Sequence, residues 1–259
     1  MLKLTKASSF AAAAALLGST AGVARTVTIP FSPSNFSDPL DIDNRYFPLA
    51  VGTVWTYKAD TPDGCEVTRT EVTGDTKVLA GVTVRVVHDQ AFEGETCGDV
   101  ELIEDTFDYH AQDDAGNVWY FGEDTFDCEG AGNCERGEGS WLAGVNGAKP
   151  GIFMLAHPRS GDSYSQELAE GVAEDHALVT KVGATATMTR DDAFRDSYSN
   201  CIVTKEWTPL ERGFIEFKTY CPNIGNVLVI EHHGKVVRSE LTDFSSPADA
   251  LRFRVPPKH

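Results

Sequence analysis

The chain has 259 residues, 39 of them acidic and 22 basic, for a formal charge of −17. So acidic a protein repels nucleic acid and anionic membrane surfaces, which excludes both as partners. Its length supplies a real core, enough for one large β domain or two small ones.

Lys3 and Lys6 precede an apolar run from Phe10 to Leu17, and small residues follow up to Ala24. This three-part pattern predicts a secretory signal peptide over residues 1–24, too short to span a bilayer. The expected location is therefore periplasmic or secreted. No later stretch is long and apolar enough for a transmembrane helix. Export agrees with the cysteines Cys65, Cys97, Cys128, Cys134, Cys201 and Cys221, which an oxidising compartment pairs. Six cysteines admit fifteen pairings, and proximity along the chain suggests Cys65 with Cys97, Cys128 with Cys134, and Cys201 with Cys221. No Cys-x-x-Cys pair occurs and no cysteine has a histidine at ligand spacing, which argues against zinc.

Residues 25–44 are rich in Ser, Pro, Asn and Asp without a period and read as an extended lead-in. Pro48 and Gly52 then introduce a strand in which Trp55, Tyr57 and Ala59 alternate with Val54, Thr56 and Lys58. Further strands are expected over 67–72 and 77–88, followed by a loop of Glu and Gly containing Cys97. The stretch from Val100 to Asp124 reads as a long hairpin about a turn at Asp113 to Asn117. Its register sets Ala111 against Trp119, Tyr109 against Phe121 and Phe107 against Glu123. One face is then aromatic; the other gathers Glu104, Thr106, Asp108, His110 and Gln112 with Val118, Tyr120 and Asp124.

From Thr125 to Gly151 periodicity fades into a long loop, with a Cys128 to Cys134 ring and one short strand near Trp141. Strands resume over 164–170, 172–182 and 184–189. Two hairpins follow, 201–207 with 215–221 and 227–232 with 235–242. Pairing Cys201 with Cys221 also sets Val203 against Thr219 and Lys205 against Phe217, so disulfide and register support each other. A short C-terminal helix is expected, capped by Ser246 with Pro247 in its first turn and 248–252 following. No segment carries a helical stripe of useful length. The expected fold is all-β: a strongly curved antiparallel sheet or incomplete β-barrel over 45–244, in halves 45–146 and 147–244, with a β-sandwich as the alternative. Residues 245–259 form the tail.

The start Tyr46-Phe47-Pro48-Leu49 with Gly52, Trp55 and Tyr57, and the run from Lys205 through E-W-T-P-L-E-R-G to Tyr220, Pro222 and Gly225, resemble an uncharacterised family of exported bacterial β-rich proteins. The segments G-N-V-W-Y-F-G-E-D and G-V-A-E-D are similar to the same family. Cys221 beside Tyr220 and Asn226 after Gly225 depart from its pattern. Some such proteins look like the LolA-like half-barrels of lipoprotein carriers, which would imply a groove for an apolar ligand; the resemblance supplies no catalytic residues.

Among candidate sites, Glu104, Asp108 and His110 share a strand face with Asp124 across the hairpin. Their oxygens would suit calcium or another hard divalent cation, and the histidine would admit zinc or copper. A solvated polar face explains the same residues more simply. Paired acids abound, but neighbours in a strand point to opposite faces, and a glycosidase needs two carboxyls from different elements about 5–10 Å apart. Glu174 and Glu206 are the other acids whose convergence with this face would matter. Gly161-Asp162-Ser163-Tyr164 lacks the partners of a serine hydrolase, and His232-His233 sits at a turn. The aromatic supply favours a groove lined by Tyr57, Trp119, Tyr120 and Trp207. The expected function is that of an exported, non-enzymatic protein binding a small apolar or amphipathic ligand, or an envelope protein, without a cofactor. The alternatives are a calcium-like cation-binding protein and a carboxylate-dependent hydrolase.

Overall fold

A computed structural model describes residues 24–62, 64–130 and 132–247. The expected helix over 248–252, and all but the last residue of the expected signal segment, lie outside the described residues. Sixteen strands run in chain order: β1 (Arg25–Thr26), β2 (Val54–Thr61), β3 (Gly64–Leu79), β4 (Val82–Thr96), β5 (Asp99–Gln112), β6 (Val118–Cys128), β7 (Cys134–Arg136) and β8 (Trp141–Leu142). The series continues with β9 (Lys149–Met154), β10 (Asp162–Ser165), β11 (Glu167–Leu168), β12 (His176–Thr187), β13 (Ser197–Trp207), β14 (Ile215–Cys221), β15 (Gly225–His233) and β16 (Lys235–Ser245). Among the described residues the helical positions are a 3-10 turn, Pro33–Asn35, and Pro247, where the first turn of the C-terminal helix is expected.

All sixteen strands belong to one curved sheet, and the protein is an all-β incomplete barrel rather than a sandwich. Two antiparallel meanders, β2 to β6 and β12 to β16, are joined edge to edge where β16 pairs with β2. β10 extends the second meander, β9 and β11 extend the first, and β7 and β8 attach to β6. The sheet does not close by pairing. Yet β10 and β11, near its two opposite ends, are separated in the chain by Gln166 alone.

Several expected boundaries move, among them that between 164–170 and 172–182, which the structure divides into β10, β11 and a β12 that begins at His176. The segment 77–88 is two strands, β3 and β4, about a turn at Ala80-Gly81 with φ of 47° and 84°. A two-residue turn preserves the alternation on either side, so Val78, Val82, Val84 and Val86 look like one run. The expected Cys97 loop is a tight turn between the long strands β4 and β5. Residues 184–187 continue β12 through an irregularity at Gly183. The lead-in is packed rather than free: Phe31 and Phe36 lie 5.6 and 5.9 Å from the Trp119 ring and 5.8 Å from Phe121.

All three suggested disulfides form, Cys65–Cys97, Cys128–Cys134 and Cys201–Cys221. Val203 faces Thr219 and Lys205 faces Phe217, as the disulfide demands. In the β5–β6 hairpin, Ala111 pairs with Trp119 as expected, but Phe107 pairs with Asp124 instead of Glu123. The register slips by one between Asp108 and His110 because β6 carries an extra residue there. That bulge lies at Gly122, whose φ is 119° and whose Cα approaches β8 so closely that a Cβ would stand 2.2 Å from the Trp141 carbonyl oxygen. Only glycine satisfies both demands.

Gly122→Ala should therefore destabilise the fold by about 2 kcal/mol or more, since it adds backbone strain and a backbone clash. Urea denaturation measures this, and an unchanged midpoint would contradict the close approach.

Candidate functional site

Alternation in β2 turns Trp55 and Tyr57 inward, where they are anchored across the sheet. Trp55 Nε1 donates to the Ile224 carbonyl at 2.6 Å and the Tyr57 hydroxyl to that of Asn226 at 3.0 Å. Around these rings the curved sheet encloses a cavity of about 380 Å3. Phe47, Trp55, Tyr57, Tyr120, Phe153 and Tyr220 form its aromatic lining; Asp89, Asp108, Glu123, Glu167, Asp175 and Glu206 add carboxyls, and Lys218 adds an ammonium.

The acids come from separate elements: Asp89 from β4, Asp108 from β5, Glu123 from β6, Glu167 from β11, Asp175 from the turn before β12, and Glu206 from β13. Lys218 on β14 is held by Glu206 at 3.0 Å and Glu216 at 2.9 Å. Burial works against its charge, but the carboxylates of Glu206 and Glu216 override this and keep its pKa well above the usual lysine value. The remaining cavity acids have no ion-pair partner among the described residues.

Their pKa values rise accordingly. Burial, reinforced by the Glu167 charge, pushes Glu123 up to about 8. Burial with Asp175 nearby does the same for Glu167, to about 8, and burial raises Asp89 to about 6 despite a hydrogen bond from Thr70. Asp108 is raised well above the carboxylate range by burial and then by Glu123. Asp175 moves the same way, chiefly through burial. Burial lowers His110 to about 3, so its imidazole is neutral.

Geometry makes the same point independently. The Tyr120 hydroxyl lies 2.5 Å from Asp108 Oδ1 and 2.9 Å from Glu123 Oε2. A phenol donates one proton, so with both acids ionised one of these contacts would lack a hydrogen. A proton on one carboxyl completes both.

The residues expected from the sequence divide. Tyr57, Tyr120, Asp108, His110 and Glu206 line the cavity. Trp119 does not: it lies on the opposite face of β6, in a second apolar cluster with Phe36 and Phe121, and its Nε1 donates to Asp113 at 2.9 Å. Trp207 stands at the end of β13, its ring 5.5 Å from that of His176. Glu104 is exposed and accepts a hydrogen bond from Thr106. Glu174 accepts one from the Gly171 backbone in a turn. Asp124 is on the wrong side of the sheet for the expected cation set, bonded to Lys77, Tyr109 and Arg136 at 2.8, 2.6 and 2.7 Å. The Gly122 bulge is the cause, because one extra residue exchanges the faces of everything beyond it. It sends Asp124 out and Glu123 in.

The four expected cation ligands are therefore not assembled. Among the described residues, the one set of three acid, histidine or cysteine side chains with donor atoms within 4.8 Å of one another is Asp60, Cys65 and Cys97. Both of its sulfurs are spent in a disulfide. Asp113 accepts from Ala115, Asn117 and Trp119, which is turn chemistry.

Asp89, Glu167 and Lys218 carry no site signal in the sequence, and Glu123 and Asp175 stand there only as members of the adjacent acid pairs Glu123/Asp124 and Glu174/Asp175. A glycine inside the strand G-N-V-W-Y-F-G-E-D was the available signal for Glu123, since such glycines mark bulges. Asp89 follows Val87 in the alternation of an inward face.

No family profile matches the chain, and no curated protein matches it. Two solved structures are similar to part of the chain. One is a protein of Bacteroides fragilis inferred to be exported and described as having a YmcC-like fold, 14% identical, covering 78% of this chain and 100% of its own, with a TM-score of 0.41. The other is an inferred lipoprotein of Parabacteroides distasonis, 10% identical, covering 78% and 99%, with a TM-score of 0.40.

A carboxyl whose folded pKa exceeds its unfolded value stabilises the fold most below the unfolded pKa, and that contribution is lost as pH rises through the folded one. With Glu123 and Glu167 raised to about 8 and Asp89 to about 6, the melting temperature should fall between about pH 5 and 8.5, by something on the order of 5 °C. Glu123→Gln should flatten the curve. Scanning calorimetry across that window is the check; a rise toward pH 8.5 would contradict the buried acids.

Proposed function

We propose that this is an exported, non-enzymatic binding protein that holds a small amphipathic molecule inside its curved sheet. The observation that carries the reading is the composition of one cavity wall, aromatic rings alongside carboxyls, at about 380 Å3. That volume falls within the range of small-molecule sites, about 300–1,000 Å3. Rings supply apolar contact and the polar groups fix orientation. The signal pattern and the three disulfides support export. Among the described residues, no helix is long and apolar enough to cross a membrane.

A carboxylate-dependent hydrolase is the second reading, favoured by the Asp108–Tyr120–Glu123 arrangement. The two contacts to the Tyr120 hydroxyl, 2.5 and 2.9 Å, cap the separation of the two carboxyl oxygens at their sum, 5.4 Å. Retaining glycosidases space their carboxyl pair at about 5–5.5 Å. Turnover of aryl glycosides that is lost in Asp108→Asn would favour this reading over simple binding.

Native mass spectrometry of protein purified from its own compartment should reveal a non-covalent small-molecule adduct. Val229, which lines the cavity, is the position to fill: Val229→Trp should reduce occupancy by about tenfold or more by removing the space. A wild-type protein without adduct, and without affinity for any amphiphile, would sink the binding reading.

A further inference from the structure

We infer that the cavity selects an organic cation, an amphiphile bearing an amine whose ammonium group lies among Asp108, Glu123 and Glu167 while its apolar body rests on the rings of Trp55, Tyr57 and Phe153. This deepens the binding reading above and rests on it.

The first support is the imbalance of charge. Six carboxyls face the cavity against one ammonium, and that ammonium is already shared between Glu206 and Glu216. Buried ionisable groups without counter-charge are costly, and here they are relieved only by taking up protons or by admitting a cation. Asp89, Asp108, Glu123, Glu167 and Asp175 are all raised by burial, and each of them also feels a neighbouring acid. An incoming ammonium would supply the missing positive charge and donate hydrogen bonds to oxygens that are acceptors when ionised.

A second, independent observation is His110. It lines the cavity and is only 2% exposed, yet its ring Nδ1 has no hydrogen-bond partner among the described residues. Buried ring nitrogens are ordinarily satisfied, so this one is set for a ligand's donor or for water that a ligand would displace.

The spacing of the acids and the rings beside them decide which cation. A hard metal ion wants several oxygens converging at about 2.0–2.6 Å, and no three cavity acids bring donor atoms within 4.8 Å of one another. Dispersed carboxyls beside aromatic faces suit a larger, softer cation, because an ammonium is attracted both by carboxylates and by the faces of Trp and Tyr. The cavity volume, about 380 Å3, accommodates a single unbranched chain with its head group.

Tryptophan fluorescence and calorimetric titration at pH 8 with decylamine, decanol and decanoate, all below their aggregation thresholds, form the test. Decylamine should bind at least about tenfold more tightly than decanol, decanoate should bind least, and Glu123→Gln should narrow the gap between amine and alcohol. Because Glu123→Gln keeps a group able to bond Tyr120, it is preferred to alanine; Asp108→Asn serves as the second variant, with near-ultraviolet circular dichroism to confirm folding of both. Decanol or decanoate binding as tightly as decylamine would overturn the cation inference and leave the binding reading standing. Failure of all three probes would overturn both. Stoichiometric calcium binding that displaces decylamine would overturn the inference in favour of a metal.

Discussion

A strand has two faces and a period of two, so one inserted residue exchanges them for the rest of its length. In β6 this happens at Gly122, and the cavity depends on it. Before the bulge Tyr120 points inward; after it Glu123 does, when an unbroken strand would have presented Asp124. The Asp108–Tyr120–Glu123 contacts exist because of that exchange, and so does the outward cluster of Asp124 with Lys77, Tyr109 and Arg136. The bulge in turn depends on a residue without a side chain, because β8 runs too close for anything larger. Local backbone geometry thus sets the electrostatics of the interior.

That interior works against the stability of the protein. Carboxyls gathered half-buried in one cavity repel one another, and burial with these charges raises Glu123 and Glu167 to about 8, a cost that the fold must offset elsewhere. The offset comes from an apolar cluster on each face of the β5–β6 hairpin, the cavity side centred on Trp55, Tyr220 and Leu241 and the other on Trp119 and Phe121. Disulfides add to it. Cys65–Cys97 closes the far ends of β3, β4 and β5, and Cys201–Cys221 closes the β13–β14 hairpin. Bonds of such span typically contribute about 2–4 kcal/mol each.

Much of the fold was legible in the sequence, and much of the site was not, for a physical reason. Hairpins such as Cys201 to Cys221 announce themselves through local alternation, turn residues and a cysteine pair whose register agrees. The curved all-β sheet follows from many such segments with no helical stripe among them. A cavity, in contrast, is assembled from single residues on strands far apart in the chain. Asp89, Asp175 and Lys218 carry no mutual signal, since each looks like an ordinary charge in an acidic protein. Asp108, His110, Tyr57 and Tyr120 were found because they sit on strongly alternating strands. Glu123 and Asp124 exchange faces relative to strict alternation because Gly122 breaks the period between them and Tyr120. Trp119 departs from expectation for a different reason: its strand has two buried faces, and aromatic character cannot tell them apart.

Gln166 stands between β10, which pairs with β12 toward one end of the sheet, and β11, which pairs with β9 at the other end. Its backbone oxygen lies so near Gly151 that a Cβ there would stand 2.1 Å from it. At this level the two margins are therefore stitched by a single residue, and one residue of extended chain spans no more than about 3.6 Å. The barrel cannot widen at that seam without first breaking pairs on one side or the other. Its girth at that level is set by covalent geometry.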